Sequence, residues 1–511
     1  MYGIATHRAG AAELVAPAPR PAAAAAAAQT AAAAAAAAPA PVQARYSAAR
    51  GKALYAARDI APGDTLWRER PVAALQYADS RQSGTLACRD SLRFVGTMAA
   101  QLQVMGQFSE AEQLSGAAEV SGDLAAAMAR SAASARLSGG FLQLGDGSDE
   151  LFGDATAKEH ASASYYDWMA ADAAAWANFR EHALETNETF ILAAQLLARY
   201  FVGGSSAGCG ASGGGEEGER AAAGSLQTPA EVLEGLISGL WWELPSRDEG
   251  GGQSHDQHEH DHEDGDDAAM LDVATSRREL LEESFEKLQV VAAAAGCAEV
   301  TLEMYGRLIG ALELNSIAIE IQSPLAVFLE ELSERFDAAE DGERAEATRV
   351  IELVLPHIER RLKLILASDA EHEEDDEEGA AAAAAQPPPA KRARSDISGS
   401  AASLESTSRD RLRQIAEEVG GLDQLYPPLY GVGLFEGVAN LNHACRPNAV
   451  VVFEQDALAT VAALKPIRKG EEVTICYIEE DQPVEERRAD LVDYGFLCDC
   501  VRCTEETTKH A

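Results

Sequence analysis

Four cysteines near the C-terminal end of the sequence have the residue type and the spacing of metal ligands. Cys498, Cys500 and Cys503 form a C-x-C-x2-C motif, and Cys445 lies upstream in the segment NHACRPN. Four thiolates suit one tetrahedral zinc ion, which binds sulfur at about 2.3 Å and then has no open coordination position. We therefore expect a structural zinc site that holds the end of the chain against the NHACRPN loop. Incidental or reactive thiols are the alternative.

Polar and aromatic residues next to these cysteines are candidates for catalysis. Asn442 and His443 begin NHACRPN, Tyr477 ends the alternating segment KGEEVTICY, and Tyr494 and Phe496 lie in DYGFLCDCVRC. Taken singly, an Asn-His pair also suits an irregular turn, and each aromatic residue also suits plain packing. Only their spacing relative to the cysteines favours a shared site.

In combination these segments resemble the C-terminal half of SET-domain lysine methyltransferases, of the SMYD and plant Trithorax-related types. Two further segments, FREHALETNETFILAAQLLARYF and YGRLIGALELNSIAIEIQSP, resemble helical parts of the plant proteins with a split SET domain. The resemblance extends over residues 51–505, apart from three linkers. It implies a protein-lysine N-methyltransferase that uses S-adenosylmethionine and acts on a histone. A SET scaffold with weak or no activity, which binds basic protein partners, is the alternative.

The resemblance also implies roles for individual residues. Asn442 and His443 are expected to contact the methyl donor, and Tyr477 and Tyr494 are expected to be the catalytic residues of the methyl-transfer channel. Phe496, together with Tyr477, is expected to contact the donor as well. Such a reaction requires an oriented amine and a dry channel in which the amine can be neutral.

Three more donor contacts are expected from the earlier part of the chain. The family has a G-x-G before its first strand, and Gly51 and Lys52 occupy this position here. Ala53 replaces the second glycine, which departs from the family pattern. Asn315, in the segment LELNSI, is expected to reach the donor from the end of the helical insertion.

Composition restricts the partners. The 511 residues carry a formal net charge of -41, which disfavours direct binding to duplex DNA and suits a basic substrate such as a histone tail. The longest apolar runs are shorter than the roughly 18 residues of a membrane span. Residues 391–394 (KRAR) follow a proline run and predict nuclear import. The cytoplasm, or an organelle reached through an N-terminal transit peptide, are the alternative locations.

The predicted fold class is α+β: a β-rich SET fold, split by a long helical insertion and followed by a zinc-binding post-SET segment. The predicted divisions are a disordered Ala/Pro-rich leader (1–45), the N-terminal part of the SET domain (46–78), a helical insertion with a degenerate, metal-free MYND-like region (79–202), a Gly/Ser linker (203–224), an acidic His-rich linker (248–267), further insertion helices (276–366), a disordered acidic, Pro-rich and basic linker (371–403), the C-terminal part of the SET domain (425–480) and the post-SET segment (481–505).

Local patterns predict individual elements. Alternating residues around Gln455 and Asp456 predict a β-hairpin, and a second one is expected around the turn Ala61-Pro62-Gly63-Asp64. Apolar periodicity predicts helices over residues 86–104, 170–202, 276–295, 302–314 and 324–366.

Overall fold

A computed structural model describes residues 41–47, 51–105, 120–143, 150–206, 236, 239–244, 263–297, 300–338, 341–380 and 408–510. Most of the predicted leader, most of each predicted linker and the basic segment 391–394 lie outside these ranges. Helices and strands are mixed along the described chain, so the predicted α+β class is confirmed at this level.

The strands are short and lie mainly in two groups towards either end of the chain, with one brief pair (β5 and β6) and the single strand β7 between. They are β1 (Val42–Ser47), β2 (Gly51–Ala56), β3 (Thr65–Glu69), β4 (Ala73–Gln76), β5 (Leu142–Gln143), β6 (Leu151–Phe152), β7 (Ser316–Ile321), β8 (Leu429–Leu434), β9 (Asn442–His443), β10 (Ala449–Phe453), β11 (Ala459–Ala463) and β12 (Thr474–Ile475).

The α-helices occupy mainly the interval between these two groups. They are α1 (Ala78–Gln82), α2 (Met98–Met105), α3 (Gly122–Arg130), α4 (Ala155–Ala161), α5 (Asp167–Met169), α6 (Ala173–Thr186), α7 (Thr189–Ser206), α8 (Glu263–Ala294), α9 (Leu302–Asn315), α10 (Pro324–Ala338), α11 (Asp341–Ala380), α12 (Ser408–Val419), α13 (Leu422–Leu425), α14 (Val484–Val492) and α15 (Val501–His510).

Strand β8 lies at the centre of an antiparallel sheet with the order β4-β8-β7. Ala73 of β4 and Ser316 of β7 both pair with Leu434 of β8. Successive strand residues point to opposite faces, so Ala73 packs in one hydrophobic core and Ala74 in another. The core that contains Ala73 includes residues of helices α6 to α9, and the core that contains Ala74 includes residues of helices α10 and α11 and of strands β2, β3, β10 and β11. The sheet therefore separates two cores and contacts both.

A second antiparallel sheet joins the two ends of the chain, in the order β10-β11-β3. The predicted hairpin of β10 and β11 is confirmed, since Phe453 pairs with Ala459 across the turn. The hairpin predicted around Pro62 and Gly63 is wrong. Strand β3 pairs with β11, and β2 pairs with β1. Ile60, in the segment between β2 and β3, bridges to Ile467, so the chain between the two strands is held by the C-terminal part instead of closing a local hairpin.

Several predicted helix boundaries are also corrected. The 170–202 prediction is interrupted at Asn187, between α6 and α7, and the 324–366 prediction is interrupted between α10 and α11. Residues 86–97 form bridges and turns, so only α2 remains of the 86–104 prediction. Composition alone does not determine where backbone hydrogen bonding stops.

Helices and strands extend into the leader and into the three linkers that the sequence predicted. Strand β1 begins inside the 1–45 leader, and α7 continues into the 203–224 linker. Helix α8 begins inside the 248–267 linker, and α11 continues into the 371–403 linker. Glu and Ala are good helix formers, so acidic and Ala-rich sequence can extend a helix that packing has already nucleated.

No helix in the described part of the chain is both long and apolar enough to cross a bilayer.

The contact between β4 and β8 is tight enough to be tested by adding one methyl group. A Cβ built at Gly431 lies 2.4 Å from the carbonyl oxygen of Leu75. We expect Gly431→Ala to lower the free energy of unfolding by about 1–3 kcal/mol, because the backbone of β4 must move. Chemical denaturation measures this.

The control for that experiment is Gly122→Ala in helix α3, where an added Cβ has no neighbour within 4 Å. It should leave stability unchanged or raise it by about 0.4–1 kcal/mol. Equal stability of Gly431→Ala and the wild-type protein would contradict the close pairing of β4 with β8.

Candidate active site and metal centre

The NHACRPN segment is held against the end of the KGEEVTICY segment by parallel strand pairing. Asn442 pairs with Thr474 and His443 pairs with Ile475, which join β9 to β12. The ladder continues one residue further, where Ala444 N–H donates to the Ile475 carbonyl at 2.9 Å. Backbone hydrogen bonds thus hold together two segments that lie about thirty residues apart in the sequence.

Asn448 provides the second connection between these segments. Its side chain is 4% exposed, its Nδ2 donates to the Glu472 carbonyl at 2.8 Å, and its Oδ1 accepts from Thr474 N–H at 2.8 Å. Its own N–H donates to the Thr474 carbonyl at 3.2 Å. Both ends of the amide are satisfied, as a buried polar group requires. This explains physically why the segment ends in Asn.

Four aromatic rings that the sequence predicted for one site lie together. The ring centroids of His443 and Tyr477 are 5.4 Å apart, and those of Tyr477 and Tyr494 are 5.2 Å apart. Phe496 lies 6.1 Å from His443 and 6.5 Å from Tyr477. These distances are typical of aromatic contacts. The rings form a wall next to the β9–β12 pair.

Hydrogen bonds fix the position of Tyr477 at both ends. Its N–H donates to His443 Nδ1 at 3.1 Å, and its hydroxyl donates to the Leu441 carbonyl. Burial raises the pKa of Tyr477, and the neighbouring Tyr494 and Glu472 raise it further. The phenol therefore stays protonated and neutral well above neutral pH.

The hydrogen bond from Tyr477 N–H to Nδ1 determines the tautomer of His443. A backbone N–H can only donate, so Nδ1 must be the acceptor, and the proton of the neutral ring is assigned to Nε2. Nε2 lies 3.2 Å from Cys445 Sγ and is positioned to donate to it. His443, only 3% exposed, thus connects the aromatic wall to a thiol.

The four predicted metal ligands do converge. The Sγ atoms of Cys445, Cys498, Cys500 and Cys503 all lie within 4.8 Å of one another, and this set could hold a metal ion. The Cys445–Cys498 and Cys445–Cys503 separations are 3.8 and 3.5 Å. A tetrahedron with 2.3 Å zinc–sulfur bonds has sulfur–sulfur edges of about 3.8 Å. The donor type, donor number and spacing therefore fit zinc.

Crowding of the thiols makes a cation favourable at this position. The hydrogen bond to Cys498, followed by burial, raises the pKa of Cys445, and burial raises the pKa of Cys503. The hydrogen bond from Cys445 lowers the pKa of Cys498 to about 3. The crowded thiols therefore cannot all lose their protons without a compensating positive charge. A bound dication allows all four to be thiolates.

Arg487 supports the thiol cluster and was not anticipated from the sequence. Its side chain is 0% exposed, its Nη2 lies 3.8 Å from Cys503 Sγ, and it donates to Glu506 in α15. Hydrogen bonds from Arg487 and from Arg502 lower the pKa of Glu506 to about 2. The only available signal was the sequence EERRAD between the two motifs, which does not distinguish a buried arginine from an exposed one.

The predicted donor contacts Gly51 and Lys52 lie in strand β2. Strand β2 contacts the 472–473 segment, where Val473 N–H donates to the Leu54 carbonyl at 2.8 Å. Gly51 and Lys52 precede Leu54 by two or three residues, roughly 7–10 Å along a strand. Gly51 has φ +65°, a conformation that glycine accepts without strain. Ala53, where the family has glycine, is buried.

Asn315 lies at the end of α9 and is 4% exposed. Its Nδ2 donates to the Ala311 carbonyl of its own helix at 2.7 Å. Next to it, the hydroxyl oxygen of Ser316 is buried without a hydrogen-bond partner within the described ranges. An unsatisfied buried hydroxyl is costly, and a polar ligand at this position would satisfy it.

Part of the chain is similar to a known protein family. Residues 350–478 match the family model of the SET domain. This range includes Asn442, His443, Cys445 and Tyr477, and it ends before the C-x-C-x2-C motif.

Individual relatives match over short stretches. The chain is 43% identical over 82 residues to "Histone-lysine N-methyltransferase ATXR2" of Arabidopsis thaliana, covering 16% of this chain and 17% of that protein. It is 47% identical over 141 residues to "Histone-lysine N-methyltransferase SMYD3" of Mus musculus, covering 21% and 32%. It is 45% identical over 75 residues to "N-lysine methyltransferase SMYD2" of Gallus gallus, covering 14% and 17%. The matches span less than a third of each of these relatives, and they confirm the resemblance to SET-domain methyltransferases of both types.

The metal centre is tested with Cys500→Ser. The wild-type protein should contain one zinc ion per chain, and the variant should lose it because three thiolates bind zinc more weakly than four. Helix α15, which begins at Val501, should then become sensitive to protease. Elemental analysis and limited proteolysis measure these effects.

The matched control is Cys297→Ser, which removes a thiol that accepts a hydrogen bond from Trp168 and lies outside the cluster. It should keep both the zinc and the protease resistance. A wild-type protein that takes up no zinc would refute the metal site.

Proposed function

Because this chain carries a SET domain, we propose that it is a protein-lysine N-methyltransferase that uses S-adenosylmethionine and acts on a basic protein such as a histone. The observation that supports this proposal most strongly is the wall of His443, Tyr477, Tyr494 and Phe496 next to the thiol cluster. It combines a polar contact for a donor, two phenols for an amine and a cluster of four thiols that could hold a structural metal within one compact region.

The SET fold of this proposal consists of two parts, residues 46–78 and 425–480, with the intervening helices as an insertion. Pairing of β3 with β11 and of β4 with β8 supports this division, since strands from opposite ends of the insertion complete the same sheets. Residues 481–505, which contain α14 and three of the four cysteines, are the post-SET segment of the proposal. The 79–202 part would include the MYND-like region.

The residues present fit a methyl donor with a polar end and an aromatic end. Asn442, His443 and Asn315 would hold it through amide and backbone groups, and Phe496 would cover its ring. The unsatisfied hydroxyl of Ser316 beside Asn315 supports a polar ligand here. When bound, S-adenosylmethionine supplies an electrophilic methyl group on a positively charged sulfur.

The chain's own contribution to catalysis would be to orient a lysine and keep it neutral. The phenols of Tyr477 and Tyr494 remain protonated, because burial raises the pKa of each. They can therefore act as hydrogen-bonding groups without adding charge. Burial against these rings disfavours the ammonium form of lysine, so the amine enters as a nucleophile. Oriented polar groups of this kind lower a barrier without acid–base chemistry.

The proposed substrate and location rest on the net charge of the chain and on the names of its relatives. The net charge of -41 attracts basic segments over long range. Two relatives are described as histone-lysine methyltransferases. A histone tail in the nucleus is therefore the proposed target, and duplex DNA is not a proposed partner.

Incubation with labelled S-adenosylmethionine and core histones tests the activity. His443→Ala should weaken donor binding by tenfold or more, since a buried hydrogen-bonding group is lost. Tyr477→Phe should leave donor binding nearly unchanged and lower kcat by about ten- to a hundredfold, because its hydroxyl acts mainly in the transition state. Calorimetry and steady-state kinetics separate the two effects.

The control for the lost phenol is Tyr46→Phe, because the Tyr46 side chain is 81% exposed. Zinc content is measured on every variant, since His443 also contacts Cys445. A protein that binds S-adenosylmethionine but methylates no histone or other basic protein would instead be an inactive SET scaffold. Equal loss of donor binding in Tyr477→Phe and His443→Ala would refute the role of Tyr477.

A further inference from the structure

A cavity lies where the N-terminal strands meet the insertion helices. Its volume is about 320 Å³. Leu75 of β4 and Arg81 of α1 line it together with Trp176 and Arg180 of α6. None of the residues proposed for methyl transfer is among the described residues of its lining. Pockets that bind small molecules begin at about 300 Å³, so this cavity has the size of a small-molecule site.

The charged groups of the lining have an excess of positive charge. Arg81, Arg89 and Arg180 contribute three positive charges, and Glu150 and Glu188 contribute two negative ones, which leaves a formal charge of +1. The whole chain carries -41. A positive cavity in so acidic a chain is a local feature, and it favours an anion at this place.

The carboxylate of Glu150 is shared by two guanidinium groups without a hydrogen bond to either. Its Oε2 lies 3.7 Å from Arg81 Nη1 and 3.7 Å from Arg89 Nε. Both separations are longer than a hydrogen bond. The side chains of Glu150 and Arg89 are only 8% and 9% exposed. Buried charges at this spacing gain from a further hydrogen-bonding group between or beside them, which water or a ligand can supply.

The second carboxylate of the lining, Glu188, is held by the backbone. Its Oε2 accepts a hydrogen bond from Ala78 N–H at 3.0 Å. Burial raises the pKa of Glu188, and the charge of Asp79 raises it further, against the opposing effects of the Ala78 hydrogen bond and of Arg180. Protonation of Glu188 is therefore easier than for an exposed glutamate, and it increases the positive excess of the lining.

Much of the remaining wall is apolar and includes one indole. Leu75, Leu184 and Ile191 line the cavity with Trp176. The Trp176 ring is buried and stacks on Phe179, with the ring centroids 5.6 Å apart. A fixed indole beside aliphatic side chains offers a surface for the flat, apolar body of a ligand.

We propose that this cavity binds a small organic carboxylate. The negative group would lie among the three arginines, and the apolar part would lie against Trp176. One negative charge balances the lining, whereas a phosphate group would bring about -1.5 to -2 and would be repelled by Glu150 and Glu188. The inference does not depend on the proposed methyltransferase activity, because the cavity and the aromatic wall have no residue in common.

Benzoate and its neutral analogue benzamide test the proposal on the full-length protein, since they share a ring and nearly the same shape. Ligand-observed NMR titration measures the dissociation constant of each probe. The wild-type protein should bind benzoate at least about fivefold more tightly, because a guanidinium forms charge-assisted hydrogen bonds with a carboxylate. Arg180→Gln should weaken benzoate binding roughly three- to tenfold and leave benzamide binding nearly unchanged.

A second variant tests the position of the probe. Leu184 lines the cavity and is 37% exposed, so a larger side chain there can enter the cavity without displacing a buried group. Leu184→Trp should weaken binding of both probes. The matched control is Arg307→Gln, which removes an exposed arginine that pairs with Glu303 in α9, and it should change neither dissociation constant. Thermal unfolding of each variant checks that it is folded.

Four results would overturn the proposal: no binding of either probe, equal affinity of the wild-type protein for both, an unchanged benzoate preference in Arg180→Gln, or unchanged binding in Leu184→Trp. The first of these would leave the cavity as a hydrated cleft that holds ion pairs. Saturating S-adenosylmethionine should not displace benzoate. Displacement would place the probe in the proposed donor site and would refute a separate carboxylate site.

Discussion

The site depends on a single imidazole that has hydrogen-bond contacts at both of its nitrogens. His443 accepts from the backbone of Tyr477 through Nδ1 and donates to Cys445 through Nε2. The first contact fixes the tautomer, and the second then has only one possible direction. The ring thus joins the aromatic wall to the thiol cluster. A movement of the metal centre would therefore displace Tyr477 through His443.

The sheet of β4, β8 and β7 provides the rigid support for this arrangement. Its two faces pack into different hydrophobic cores, so neither core can shift without disturbing the sheet. Strand β7 follows directly after Asn315, and β8 leads into the segment that contains His443. The insertion is therefore part of the support for the site.

The grouping of the candidate site residues was easier to predict from the sequence than the strands that surround them. The C-x-C-x2-C spacing and the 449–463 hairpin are local patterns, and both were identified correctly because their partners lie nearby or share a motif. The strand order was not, because β3 pairs with β11 across almost 400 residues and no local turn signal reports this.

The central claim is that the metal centre supports donor binding through His443. Titration calorimetry with S-adenosylmethionine, on the same protein before and after removal of zinc by a chelator, tests it most directly. The account predicts at least a tenfold loss of affinity on metal removal and its recovery when zinc is returned. Unchanged affinity in the zinc-free protein would contradict it.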